Sequence, residues 1–168
     1  MALNDITIYD EGSFGYPGDV EYAVAASSTV ILPGEPVAKA LGAFVVTPAA
    51  TTEPTVADGD LWCGIATSTS TNTAAAAGKV QVMKLVPGMT YLIAPTTAAS
   101  WDTQAEYDAL VGDRVVIALG SSTYTIGATD NAAYGCVVEP LDIKKYPGKV
   151  RFSIRPAATY LGFATGLT

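Results

Sequence analysis

Histidine is absent from the 168 residues, and cysteine occurs only twice. Without histidine the chain lacks the commonest general base and the commonest metal ligand. That excludes Ser-His-Asp and Cys-His catalysis within one chain, together with most zinc sites. Charge is also scarce. Asp, Glu, Lys and Arg make up 15% of residues, against about 25% in ordinary globular chains. So few charges cannot easily cover a whole surface with solvated groups. The chain reads either as an all-β protein rich in Ala and Val, or as one whose surface is partly buried against partners.

Other absences narrow the function classes. Only nine residues are basic and the net charge is −7. Five of the nine fall within residues 144–155, so no basic stripe runs along the chain, and nucleic acid is not expected as a partner. The acidic balance argues equally against an anionic membrane. No run approaches 18 apolar residues, so no transmembrane helix is expected. The opening MALNDITIYDEG has neither a basic n-region nor an apolar h-region, so no signal peptide is expected. Cys63 and Cys136 then read as buried thiols in a reducing cytosol, with a Cys63–Cys136 disulfide as the alternative. Phosphate-binding signatures of the GxxxxGK[ST] and GxGxxG kinds are missing. The carboxylates that stand near one another (Asp58 and Asp60; Asp102, Glu106 and Asp108; Glu139 and Asp142) fall in turns or on a helix surface and read as solvated. No catalytic residue, cofactor or metal ligand is assigned.

What is present is β-structure. Residues 61–67, 80–86 and 91–94 are short apolar runs of strand length and composition. A Ser/Thr/Ala loop, residues 68–78, separates the first two, and Pro87-Gly88 separates the last two as a turn. Val80 and Val82 point to one face and Gln81, Met83 and Leu85 to the other. Neither face is cleanly polar, so both are expected to be covered, by another sheet or another subunit. The three runs read as a β-meander at the centre of a small barrel or sandwich. Further strands are expected at residues 22–26, 37–46 (broken at Gly42), 114–119, 123–126, 134–140 and 150–155. Pro33-Gly34 suits the centre of a type II turn, and residues 47–60 read as a polar loop. The one helix signal is a capping box at Thr103–Glu106 with Tyr107, Leu110 and Val111 on one face, predicting a helix over residues 104–111 ended by Gly112.

The first 21 residues are interrupted by Gly12, Gly15, Pro17 and Gly18, while Ile6, Ile8, Tyr9, Phe14 and Tyr16 supply apolar and aromatic groups. They read as an extended N-terminal arm preceding a single β-rich domain, residues 22–168. Such an arm either lies on its own domain or orders against a neighbour. The basic stretch, with Lys144, Lys145, Lys149, Arg151 and Arg155, reads as a solvated hairpin or as a contact to an acidic protein surface. Trp62 and Trp101 would serve a carbohydrate-binding sandwich if exposed together, and a structural role if buried.

Three stretches carry a resemblance. Pro33-Gly34-Glu35-Pro36-Val37, then Cys63-Gly64-Ile65-Ala66 with Gly78-Lys79-Val80-Gln81-Val82, and finally Tyr134-Gly135-Cys136-Val137-Val138-Glu139-Pro140 resemble the turn, meander and closing strand of tailed-phage head-decoration (cement) proteins, like that of lambda. The resemblance covers roughly residues 30–140. It implies a structural virion protein, made in the host cytoplasm, on the outer surface of an icosahedral capsid. There it would clamp neighbouring capsomers as a homotrimer bound to the major capsid protein. The expected contacts are Ile6, Ile8, Tyr9, Phe14, Tyr16, Lys144, Lys145 and Lys149. A carbohydrate- or surface-binding β-sandwich module is the alternative reading.

Overall fold

Alternating and apolar runs separated by Gly and Pro commit this chain to strands, and the computed structural model bears that out. It describes residues 6–10, 18–40, 45–48, 52–53, 60–84, 88–119 and 123–155. The strands are β1 (Thr7–Asp10), β2 (Asp19–Val24), β3 (Pro36–Ala40), β4 (Thr47–Pro48), β5 (Thr52–Glu53), β6 (Asp60–Ala66), β7 (Gly78–Lys84) and β8 (Thr90–Ile93) in the first half. The second half adds helix α1 (Gln104–Leu110), β9 (Arg114–Val115), β10 (Ile117–Leu119), β11 (Tyr124–Ile126), β12 (Cys136–Glu139) and β13 (Val150–Ile154). They form three sheets, ordered β1-β8-β13-β12-β9, β2-β7-β6-β3-β4 and β11-β10-β5. Among the described residues the fold is therefore all-β with one short α-helix, and their sheets do not close into a barrel.

The expected meander is only half present. β6 and β7 pair antiparallel, but β8 leaves them and enters the other five-stranded sheet between β1 and β13. The physical reason is that the second edge of β7 is already filled: β2 pairs along it from Asp19↔Met83 to Val24↔Gly78. The stretch 114–119 is likewise two strands, β9 in the first sheet and β10 in the third, with the chain changing sheets between them. Residues 47–60 include two short strands, β4 and β5, and are not wholly loop.

Both faces of the β2–β7–β6–β3 sheet are covered, and the chain itself does the covering. Val24, Val37, Cys63, Ala66, Val80 and Val82 face one apolar cluster, which Ile31 and Val46 cover. Trp62, Ile65 and Met83 face the larger cluster, shared with Tyr91, Ile93, Cys136, Val138, Val150 and Phe152 of the first sheet. Trp62 and Ile65 are three residues apart, a spacing that ordinarily puts strand side chains on opposite faces. They share a face because the β3–β6 register shifts between Val37↔Gly64 and Ala38↔Trp62, and the extra residue of such a bulge resets the alternation. Gly64 follows it where the strands crowd: an added Cβ would run into the Met83 carbonyl.

The Pro33-Gly34 turn forms as the sequence predicts. Gly34 has φ 86°, the Glu35 N–H donates to the Leu32 carbonyl at 3.1 Å, and the Glu35 carboxylate accepts the Leu32 N–H at 2.8 Å. The capping box also forms: the Thr103 hydroxyl accepts from the Glu106 N–H and the Glu106 carboxylate from the Thr103 N–H. The helix ends at Leu110, one residue early, with Val111 as its cap.

The loop between β6 and β7 is built on polar side chains. Ser70 and Asn72 are buried, and the Ser70 hydroxyl accepts the Ile31 N–H while donating to Asn72 Oδ1. Asn72 in turn donates to the Ser28 carbonyl. A stretch whose only apolar residues are alanines is thus held because its hydroxyls and amide satisfy backbone groups that would otherwise be buried unpaired.

The sequence leaves two placements open for the N-terminal residues, and the described ones lie on their own domain. β1 pairs with β8 at the edge of the first sheet, and Ile6 lies buried in the larger cluster. β2 begins at Asp19, inside the segment read as arm. Phe14, Tyr16 and the final residues 156–168 lie outside the described residues.

Candidate docking surface

The basic stretch sits on the connection between β12 and β13. Asp142 organises it: its carboxylate accepts the Lys144 N–H at 3.0 Å, and its carbonyl accepts the N–H groups of Lys145 and Tyr146, both at 3.1 Å. Gln104 on α1 ties the loop to the helix. Its amide oxygen accepts the Ile143 N–H at 3.2 Å, and its amide nitrogen donates to the Leu141 carbonyl at 2.9 Å. Leu141 is buried in the larger cluster, with Ile143 and Tyr146 packed against it. Gly148, at φ 65°, turns the chain into β13. Backbone bonds and apolar contacts therefore define this loop's shape; of the lysine side chains, that of Lys145 lies over the Tyr146 ring, 5.5 Å from its centroid.

The five basic residues divide into two kinds. The Arg151 guanidinium donates to the Thr90 hydroxyl at 3.1 Å and the Pro140 carbonyl at 3.2 Å, and Arg155 donates to the carbonyls of Ala132 and Tyr134. These arginines work inside the fold. Lys144 and Lys145 are exposed and Lys149 is half-buried, and none makes an ion pair among the described residues. By contrast, Lys79 pairs with Glu21 at 2.6 Å and Arg114 with Asp130 at 3.0 Å.

One of the expected contact residues, Tyr9, reaches the basic stretch, which is far from it in sequence. Tyr9 of β1 lies under the Arg151 guanidinium, 4.4 Å from its ring centroid, and edge-on to Tyr146 with centroids 5.3 Å apart. A cation over an aromatic face is attracted by the ring quadrupole, so β1 is fastened to the loop through aromatic contacts. Ile6 is unavailable for contact because it is core; Ile8 and Tyr9 are half-buried.

Two recesses flank the loop. One, about 420 Å³, is shallow and lined by Tyr9, Gln104, Asp108, Pro140, Leu141 and Asp142. The other, about 240 Å³, is mainly apolar, formed by Pro95, Ala98, Trp101, Ile143, Pro147 and Gly148, with Asp102 also lining it. Trp101 is 5% exposed, rests edge-on against Tyr107, and its indole N–H has no partner among the described residues. Hydrogen bonding between Asp102 and Glu106 raises the Asp102 pKa, whereas bonds from Thr103 hold that of Glu106 low. Sequence reasoning found the lysines but missed Trp101, Pro95 and Gln104 as their neighbours. No local signal could have found them, because the helix and the loop are brought together only by the core.

The remaining sequence expectations can be placed. Trp62 is 1% exposed between the sheets, so the exposed Trp62–Trp101 pair that sugar stacking requires is not formed. Cys63 and Cys136 are buried thiols in different apolar clusters and are not joined in a disulfide. Burial pushes the Cys63 pKa up to about 12, partly countered by Lys39, and raises that of Cys136 further. Among the described residues no group of three or more Cys, Asp or Glu could hold a metal ion, and no helix is long and apolar enough to cross a membrane. No family model, curated protein or solved structure matches the chain.

Proposed function

We propose that this chain is a structural virion protein that decorates the outside of an icosahedral phage capsid and stabilises it by clamping neighbouring capsomers. The observation that carries the reading is the way two stretches of the family resemblance come together. The Pro33–Val37 turn is bonded to the end of β6, with the Gly34 N–H donating to the Ala66 carbonyl and the Ala66 N–H to that of Glu35. β6 and β7, which contain Cys63–Ala66 and Gly78–Val82, pair beside it. These two stretches thus lie together in the framework of the second sheet, while the third, Tyr134–Pro140, contributes β12 to the first. Burial of both tryptophans supports a structural role over sugar binding.

In this reading the partner is the major capsid protein, and the chain acts as a homotrimer. Attachment then comes from several modest contacts made together, because linked sites raise the effective concentration of one another. The decisive experiment is electron microscopy of the particle that carries this chain, with co-sedimentation of the purified protein on expanded shells. Threefold density on the outer surface is expected. Density inside the head or at the tail, or no co-sedimentation at saturating protein, would end the reading.

A further inference from the structure

We propose that the β12–β13 loop is a docking surface for an acidic polypeptide segment. The segment's carboxylates meet Lys144, Lys145 and Lys149, and one apolar side chain enters the recess beside Trp101. This deepens the capsid reading, since the segment would then belong to the shell protein, but its own logic is charge and shape.

Charge complementarity comes first. The whole chain carries −7, so the remainder without these three lysines carries −10. Yet the three stand within six residues, and none makes an ion pair among the described residues. The ion pairs among the described residues lie elsewhere, Lys79 with Glu21 and Arg114 with Asp130, while Asp142 in the loop itself spends one carboxylate oxygen on the Lys144 backbone N–H. A local positive patch attracts carboxylate-rich segments and sets the polarity of the partner it accepts.

The second observation is the loop's fixed shape. Gln104 and Asp142 hold its backbone, and Ile143 and Tyr146 anchor it to the core. A surface built before binding loses little freedom on binding. The third is the apolar recess that the same loop forms through Ile143, Pro147 and Gly148, opposite Trp101. Its volume of about 240 Å³ is smaller than a typical pocket of roughly 300–1,000 Å³ for a whole small molecule. It suits one side chain of a longer segment. Asp102 lines the helix side of the recess, so the acidic part of the segment is directed toward the lysines.

The test uses the full chain and a fluorescent peptide of alternating Glu and Gly with one central Leu, followed by anisotropy. The peptide is expected to bind, with affinity falling at least tenfold between low and high salt as the charges are screened. The triple variant K144E/K145E/K149E is expected to lose at least tenfold in affinity. Ala98→Trp, on an exposed residue at the recess, should lose the Leu-dependent part while keeping the salt dependence. Equal binding of a Leu-free peptide, equal binding of a Lys/Gly peptide, displacement by a single-stranded oligonucleotide of equal charge at lower concentration, or no binding of the acidic peptide would each overturn the proposal. Shell binding separates this inference from the capsid reading. If the triple variant decorates shells as fully as the native chain, the docking surface is wrong and the capsid role stands. If the native chain ignores shells yet binds the peptide, the docking surface stands and the capsid role falls.

Discussion

The Tyr107 hydroxyl accepts the backbone N–H of Arg151 at 2.9 Å, joining helix α1 to a strand 44 residues away. The same hydroxyl donates to the Glu139 carbonyl at 2.8 Å, so one side chain bonds both strands of the β12–β13 pair. Burial pushes its pKa up to about 12, with the Arg151 N–H pulling the other way. Tyr107→Phe should therefore keep the ring's packing and leave two buried backbone groups short of a partner. The expected cost is about 1–3 kcal/mol, read as a lower urea midpoint at unchanged slope.

Ile6 and β1 belong to the domain. Ile6→Ala should cost about 2–5 kcal/mol if the core behaves ordinarily, at the low end because Ile6 sits beside an edge strand. Removing residues 1–10 should lower the melting temperature further, since β8 would lose its edge partner. A truncated chain as stable as the intact one would mean that β1 is dispensable to the fold.

Gly64 tests the crowding between β6 and β7. Its added Cβ would meet the Met83 backbone carbonyl, which cannot move without disturbing the ladder. Gly64→Ala should destabilise by about 1–3 kcal/mol, the usual cost of overpacking. Gly127→Ala, where the nearest atom is 3.8 Å away, is the control and should be milder.

The two thiols should resist labelling at pH 8 in the native protein and react promptly in urea. Burial disfavours the thiolate in both, and the thiolate is the reactive form. Fast native reaction at either site, followed by mass spectrometry, would contradict their burial.

Asp130 should make a small contribution to stability at neutral pH that is lost in acid. Its carboxylate accepts from the Arg114 side chain at 3.0 and 3.1 Å and from the Arg114 backbone N–H at 2.8 Å, and these bonds hold its pKa below the ordinary value. A depressed folded pKa stabilises above the unfolded pKa of about 3.9 and is lost as pH falls through the folded value. The melting temperature of native protein should exceed that of Asp130→Asn at neutral pH, and the gap should close in acid. High salt should narrow it too, because the pair is exposed.

Local chemistry in the sequence determined the elements of this protein. Pro33-Gly34 could only turn, Thr103 and Glu106 could only cap, and Val80 and Val82 had to share a face, because φ preference, hydrogen-bond reach and strand alternation act between near neighbours. The same local reading located the lysines at 144, 145 and 149. Tertiary structure alone decided which edges pair. β8 followed β7 in sequence but not in the sheet, because β2 had taken that edge. It also decided that Ile6 is core, that a bulge puts Trp62 and Ile65 on one face, and that Tyr9 meets Tyr146 and Arg151. Those outcomes depend on competition among distant strands for the same edges and the same apolar volume, and no short stretch of residues contains the terms of that competition.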